Sequence, residues 1–134
     1  MEDEPAVTNR RLMAAFVRAP AAAPLAEDVV LEDVAQRRTC LGRDEAAGLL
    51  RAFFVVGFPA AQIEAEQLLA DGEAAMLQFT FCGRQEGPFL GIPPTGRPVA
   101  VPMVLVCQIR DGRIQRAVLY YDAGRLLRQL GLAL

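Results

Sequence analysis

Asp122 is the residue whose setting most suggests chemistry. It follows an almost wholly apolar strand-like run and stands at the mouth of a short helix-like segment ending near Gly131. A carboxyl ordinarily titrates near about 4, and burial among apolar groups raises that value by penalising the charge. A group tuned in this way takes a proton from an acidic carbon at neutral pH and gives it back. The same position is also an ordinary helix N-cap, because an Asp side chain accepts from the first free N–H groups of a helix. Both roles can coexist at a strand–helix junction. Tyr120, two residues earlier, lies on the same side of an extended strand and is able to donate a hydrogen bond to a substrate oxygen. Glu32 and Asp33 close an earlier apolar run, where alternation lets only one of them face inward; a solvated strand end accounts for both. Gln85 and Glu86 occupy the loop before Gly87, a position that favours exposure.

The residues that are missing narrow the chemistry further. The chain has no histidine, and all 14 of its cationic side chains are arginine. Ser-His-Asp and Cys-His triads, two-histidine zinc sites and the facial triad of non-haem iron are thereby excluded. Schiff-base chemistry on a side chain, which needs lysine, is excluded too. The three cysteines, Cys40, Cys82 and Cys107, are widely spaced and contain no C-x-x-C pair, as expected of buried thiols in a reducing compartment. Acid–base work therefore falls to Asp, Glu, Tyr or Cys, and no metal, flavin or haem is expected.

At 134 residues and 53% hydrophobic content the chain reads as one globular domain, 1–134, able to bury a core without staples. A net charge of −2 and the absence of a basic block argue against nucleic acid as a partner. Met1-Glu2-Asp3-Glu4 lacks the basic region of a signal peptide. The longest apolar run, Val99 to Cys107, is interrupted by Pro102 and falls far short of the ~20 residues of a membrane span. A cytoplasmic location with no membrane partner is the resulting expectation.

These candidates must be positioned by a small set of elements. Pro5 and Pro20 bracket a helix over about 4–18, with Val7, Leu12, Met13 and Phe16 as its apolar residues. Residues 21–26 read as an Ala/Pro connector and Val29 to Val34 as a short strand. Gly42 with Asp44 and Glu45 opens a second helix, over 43–56, whose Leu49, Leu50, Phe53 and Phe54 form one face. From Gln62 the apolar period becomes two. Asp71-Gly72 and Asp111-Gly112 then mark hairpin turns, so that strands over 74–82, 99–110 and 113–121 form an antiparallel meander. Strands 74–82 and 99–109 are apolar on both faces. A bent sheet that wraps the helices on one side and pairs with a second copy on the other accommodates this, which predicts a homodimer.

Three segments resemble the SnoaL-like polyketide cyclases. Gly87-Pro88-Phe89-Leu90-Gly91-Ile92-Pro93-Pro94-Thr95-Gly96-Arg97 is similar to that family's G-x-F-x-G-I-x-P-T-G-K/R segment. Ile109-Arg110-Asp111-Gly112-Arg113-Ile114 is similar to its D-G-K-I turn, and Asp122 to Gly131 to its D-x-x-x-L-L-x-Q-L-G ending. The resemblance implies an α+β fold in which a curved antiparallel sheet wraps around N-terminal helices, the cone-shaped, cystatin-like barrel of the nuclear transport factor 2-like superfamily, usually dimeric. It also implies ring closure of a polyketide by intramolecular aldol condensation without cofactor or metal, with Asp122 as acid/base. Gln85 and Glu32 stand about where members carry histidines, so the resemblance makes them substrate contacts beside Tyr120, around an apolar small-molecule ligand. A ketosteroid-isomerase-like proton shuttle, a hydroxylase, and a non-catalytic ligand-binding or dimerisation module are the alternatives that the same fold carries.

Overall fold

The structure, a computed structural model, describes residues 4–132; the acidic Met1–Asp3 start read from the sequence lies outside the described residues. Helix α1 (Glu4–Arg18) buries Ala6, Asn9, Met13 and Phe16, which fall on one stripe at helical spacing. Asn9 stands inside that stripe because its side-chain N–H groups reach the Asp71 carbonyl at 2.9 Å, which makes burial of the amide tolerable. A 3-10 turn, Pro20–Ala22, leads into strand β1 (Leu25–Asp33), which starts inside the expected connector. Strand β2 (Arg38–Leu41), too short to carry a readable alternation, pairs back on it.

Helix α2 (Arg43–Arg51) starts at Gly42, whose φ of 88° suits glycine, and the Glu45 carboxylate reaches back to the Leu41 N–H at 2.7 Å. The helix expected over 43–56 changes character part-way: residues Ala52–Gly57 continue it as a π-helix, and the Phe58 N–H bonds the Phe53 carbonyl. This wider turn places Phe53 and Phe54 at the core. Strands β3 (Gln62–Ala70), β4 (Ala74–Arg84), β5 (Pro98–Arg110) and β6 (Arg113–Tyr121) follow, and helix α3 (Ala123–Gln129) ends the described fold.

The six strands form one open, curved sheet in the order β2-β1-β6-β5-β4-β3. Every neighbour pair is antiparallel except β1 and β6, which run parallel, so the sheet is mixed rather than purely antiparallel. Along β5, buried Val99, Val101, Met103, Leu105, Cys107 and Ile109 alternate with outward residues, which assigns the inner face without ambiguity. Helices α1 and α2 fill that concave side, and Phe16, Leu49 and Phe53 meet Phe79 and Phe81 in a single core. The α+β cone expected from the sequence is the architecture found.

Two turns explain the meander. Asp111 and Gly112 both take positive φ (54° and 71°), the conformation of a tight hairpin turn. At Asp71 the carboxylate instead accepts from the Glu73 and Ala74 N–H groups, both at 2.8 Å. No helix among the described residues is long and apolar enough to cross a membrane.

Candidate active site

The parallel pairing of β1 with β6 brings the C-terminal ends of both strands to the same rim of the cone, with Asp33 opposite Leu119 in the register. Asp33 ends β1 on the inward parity of Val29 and Leu31 and is fully buried. This corrects the expectation of a solvated strand end: Glu32 faces out, and Asp33 takes the inward place. Tyr121 ends β6 and donates its hydroxyl to Asp33 Oδ2 at 3.0 Å. The chain then turns through 34–37, with Arg37 at φ 54°, and this turn returns Gln36 to the same spot. The Gln36 backbone N–H donates to Asp33 Oδ1 at 3.0 Å. Its side-chain Nε2 donates both to Asp33 Oδ2 and, at 2.7 Å, to the Tyr121 hydroxyl.

Electrostatics follow from this packing. Burial pushes the Asp33 carboxyl above its ordinary range, opposed by the N–H and O–H donors of Gln36, Tyr121 and Ala35, which favour the charged form. Burial likewise pushes the Tyr121 phenol well above its ordinary range; Gln36 works against this and Asp33 adds to it. The site is thus a basic carboxylate beside a phenol that stays neutral.

Asp33 and Tyr121 stand one inward position beyond Leu31 and Leu119, which line an apolar cavity of about 20 Å³. Phe16, Leu49, Phe53, Phe54 and Phe79 close its other sides. The Phe53 ring, part of that lining, meets the Tyr121 ring edge-on with centroids 6.0 Å apart, which sets the polar cluster just outside the chamber wall. The long loop after β4 braces this aromatic wall. Phe89 packs against Phe53 and Phe58, with centroids 4.8 and 5.3 Å away. The Gly57 carbonyl that ends the π-helix accepts from the N–H groups of Glu86 and Gly87.

The residues singled out from the sequence lie elsewhere. Asp122 caps α3, accepting from the Arg125 N–H at 3.1 Å; its side chain is 67% exposed, with an Arg128 nitrogen 4.0 Å away. Tyr120 points outward and is 47% exposed. Glu32, also outward, pairs with Arg116 at 3.3 Å. Gln85 is buried, contrary to the exposure expected of a loop residue. Its amide is consumed in building the loop: Nε2 donates to the carbonyls of Gly87, Ile92 and Pro93, and Oε1 accepts from the Thr95 N–H and hydroxyl. The structure therefore does not bring Asp122, Tyr120, Glu32 and Gln85 together; it brings Asp33, Tyr121 and Gln36 together instead.

Among the described residues no cluster of three His, Cys, Asp or Glu side chains is arranged to hold a metal ion. The Cys107 thiol lies against the sheet's inner face and is pushed up to about 12 by burial, which makes it an inert packing residue.

The fold is the α+β cone of nuclear transport factor 2-like and ketosteroid-isomerase-like folds, here with a buried carboxyl where β1 and β6 end together. The profile of the SnoaL-like polyketide cyclases matches residues 7–130, and the chain belongs to that family. Among solved structures it is similar to a candidate SnoaL-like polyketide cyclase from Jannaschia sp. CCS1, with 19% identity, a TM-score of 0.86 and coverage of 100% of this chain and 99% of that one. TsrD from Streptomyces laurentii is similar at 25% identity and a TM-score of 0.79, covering 99% of this chain and 100% of that one. An LEH-like epoxide hydrolase from M. tuberculosis is similar at 23% identity and a TM-score of 0.71, covering 93% and 90%. No functionally curated protein matches the sequence.

Proposed function

We propose that this protein performs cofactor-independent proton transfer at a carbon beside a carbonyl in a polyketide-like small molecule, closing a ring by intramolecular aldol condensation. We place the acid/base at Asp33 rather than at the solvent-facing Asp122. The observation that carries this reading is a fully buried carboxylate, hydrogen-bonded to Tyr121 and Gln36, one inward position along β1 from Leu31, which lines the apolar chamber.

The chemistry follows from the setting. A methylene between carbonyls is acidic because its enolate is delocalised. Ionised Asp33 removes that proton; the enolate carbon forms the new C–C bond to a second carbonyl of the same molecule, whose oxygen becomes an alkoxide. Protonated Asp33 then returns the proton to that alkoxide, so nothing is consumed. The apolar walls fold the substrate toward a reactive conformer and keep water from the enolate. A ketosteroid-isomerase-like shuttle uses the same base and stops before C–C bond formation.

One observation favours a second reading, a non-catalytic module. The aromatic chamber of about 20 Å³ is nearly filled by its own side chains. Solution measurement of α-proton exchange separates the two: an aryl 1,3-diketone incubated in D₂O with the protein gains deuterium faster than in buffer if the first reading holds, and at the buffer rate if the second does.

We also propose a homodimer through the outer face of the sheet, supported by the apolar side chains that this face leaves in solvent. Leu69 on β3 is 51% exposed, and Val106 on β5 and Tyr120 on β6 face the same convex side from other strands.

A further inference from the structure

The hydrogen bonds around Asp33 have a sense that its proposed role cannot leave unchanged. Every polar neighbour of the carboxylate is a donor: the Gln36 N–H on Oδ1, Gln36 Nε2 and the Tyr121 hydroxyl on Oδ2, and the backbone N–H of Ala35. Ionised, the carboxylate satisfies them all. Protonated, it must itself donate, and no neighbour in the present arrangement accepts. Tyr121 cannot simply turn its hydroxyl away, because Gln36 Nε2 already donates to that oxygen from the other side at 2.7 Å. Turning the phenol proton toward Gln36 would set donor against donor.

One movement resolves the conflict without displacing any heavy-atom position by more than an exchange of two near-isosteric atoms. The Gln36 amide rotates half a turn about its terminal bond, presenting Oε1 where Nε2 stood. Tyr121 then donates to one lone pair of Gln36 Oε1 and protonated Asp33 donates to the other, while the longer Tyr121–Asp33 edge, 3.0 Å, carries no proton. Both bonds between the Gln36 side chain and its partners reverse their sense. No proton is gained or lost apart from the one on Asp33, and every buried polar atom keeps a partner, as burial requires.

We infer that Gln36 is a positioning residue that follows the protonation state of Asp33 by flipping its side-chain amide, reversing its bonds to Asp33 and Tyr121 each time the proton is taken and returned. This rests on the reading of Asp33 as the acid/base and adds to it a device for holding the abstracted proton in a buried site. Few other charges bear on this triangle. Tyr121 of β6 and the buried Cys40 thiol of β2 are the titratable groups beside Asp33; exposed Arg38 stands opposite it in the β1–β2 register, and Glu45 of α2 acts on Cys40 rather than on Asp33. From the π-helical segment the ring contact to Tyr121 is the hydrocarbon of Phe53.

The test is a pH titration of the full chain by NMR, with ¹³C-labelled aspartate and ¹⁵N-labelled glutamine, the Asp33 and Gln36 signals being assigned by their loss in Asp33→Asn and Gln36→Met. The expected result is that the Gln36 side-chain NH₂ signals move with the Asp33 carboxyl at one common midpoint. In Gln36→Met, which keeps the length and removes both polar atoms, the Asp33 midpoint should rise by about one pH unit, because hydrogen bonds to the charged form are the stronger ones. Gln36 signals that stay fixed while Asp33 titrates, or that stay fixed across the whole folded pH range, overturn the inference, and the wild-type measurement decides this even if the methionine variant fails to fold. A glutamine that donates to Asp33 without flipping would move both observables, so the flip itself is read from the NOEs between the Gln36 NH₂ protons and the Tyr121 ring: they weaken as Asp33 is protonated if the amide turns, and their persistence overturns the inference. Diketone exchange in the same samples separates this failure from that of the underlying reading. Fixed Gln36 signals with exchange still abolished by Asp33→Asn remove the flip alone, whereas undiminished exchange in Asp33→Asn removes the base.

Discussion

Tyr121 reaches Asp33 at 3.0 Å because β1 and β6, far apart in sequence, run parallel and finish at the same rim of the cone. Neither residue has a polar partner of this kind within its own strand. The pair exists only in the folded protein, so its energetics can be read through folding itself.

Asp33 carries the clearest pH signature. Its folded-state carboxyl titrates above the ordinary value near 3.8, so between those two points the native state binds more protons than the unfolded chain. Stability from this group is fully present below the unfolded value and is lost as pH rises through the folded one. Urea unfolding of wild type and Asp33→Asn across pH 4 to 7 should therefore show the wild type losing stability relative to the variant as pH rises. A difference that grows with pH would contradict the burial argument.

Gln85 should matter to folding rather than to chemistry. Replacing it with alanine strands the part-buried loop carbonyls and the Thr95 donors that its amide serves, at a cost of about 3 kcal/mol. Denaturant titration of Gln85→Ala checks this, and a loss below about 0.5 kcal/mol, the range of ordinary surface changes, would argue that the loop holds itself.

Gly87 is confined by space alone. A Cβ there would stand 2.0 Å from the Val56 carbonyl oxygen, against backbone that cannot yield cheaply. Gly87→Ala should separate the loop from the π-helix and loosen Phe89 from the aromatic wall. Thermal melting is expected to drop, with faster hydrogen exchange at the Glu86 and Gly87 N–H groups that now bond the Gly57 carbonyl; an unchanged exchange pattern would show the clamp to be dispensable.

Assembly is open to direct weighing. With Leu69, Val106 and Tyr120 on the convex face, sedimentation at micromolar concentration should give a dimer, and Val106→Glu should give a monomer that remains folded. A wild-type monomer would contradict the proposed interface.

Much of the frame was legible because its signals are local. The Asp111-Gly112 turn, the strict alternation of β5 and the proline limits of α1 each follow from a few adjacent residues. The site was less legible for a reason visible in β6. Counting by twos from buried Ile114 assigns Tyr120 inward, and Asp122 with it. The register shift between Gln108 and Ile109 sets one extra residue of β6, at Gln115, against β5 and turns Ala117, Leu119 and Tyr121 inward instead. A slip of one residue exchanges the two faces of a strand, and no residue type in Gln115-Arg116 announces it. On β1 the usable signal was present: Val29, Leu31 and Asp33 share one parity, and the buried apolar pair pointed to the aspartate. Gln36 reaches Asp33 through a turn whose positive φ falls on Arg37, a residue that does not advertise it. The parallel β1–β6 pair, being non-local, left no mark in either strand.

The central claim, that the base is Asp33 and not Asp122, is tested most directly by one comparison: deuterium uptake at the α-carbon of an aryl 1,3-diketone with wild type, Asp33→Asn and Asp122→Asn. Asparagine preserves an acceptor oxygen at each position, so the α3 cap persists at 122, whereas Asp122→Ala would cost about 0.5–2 kcal/mol of stability. Exchange should fall at least about 100-fold in Asp33→Asn, the scale of general-base catalysis, and stay within about twofold of wild type in Asp122→Asn. Loss of exchange in Asp122→Asn with full activity in Asp33→Asn would contradict the claim.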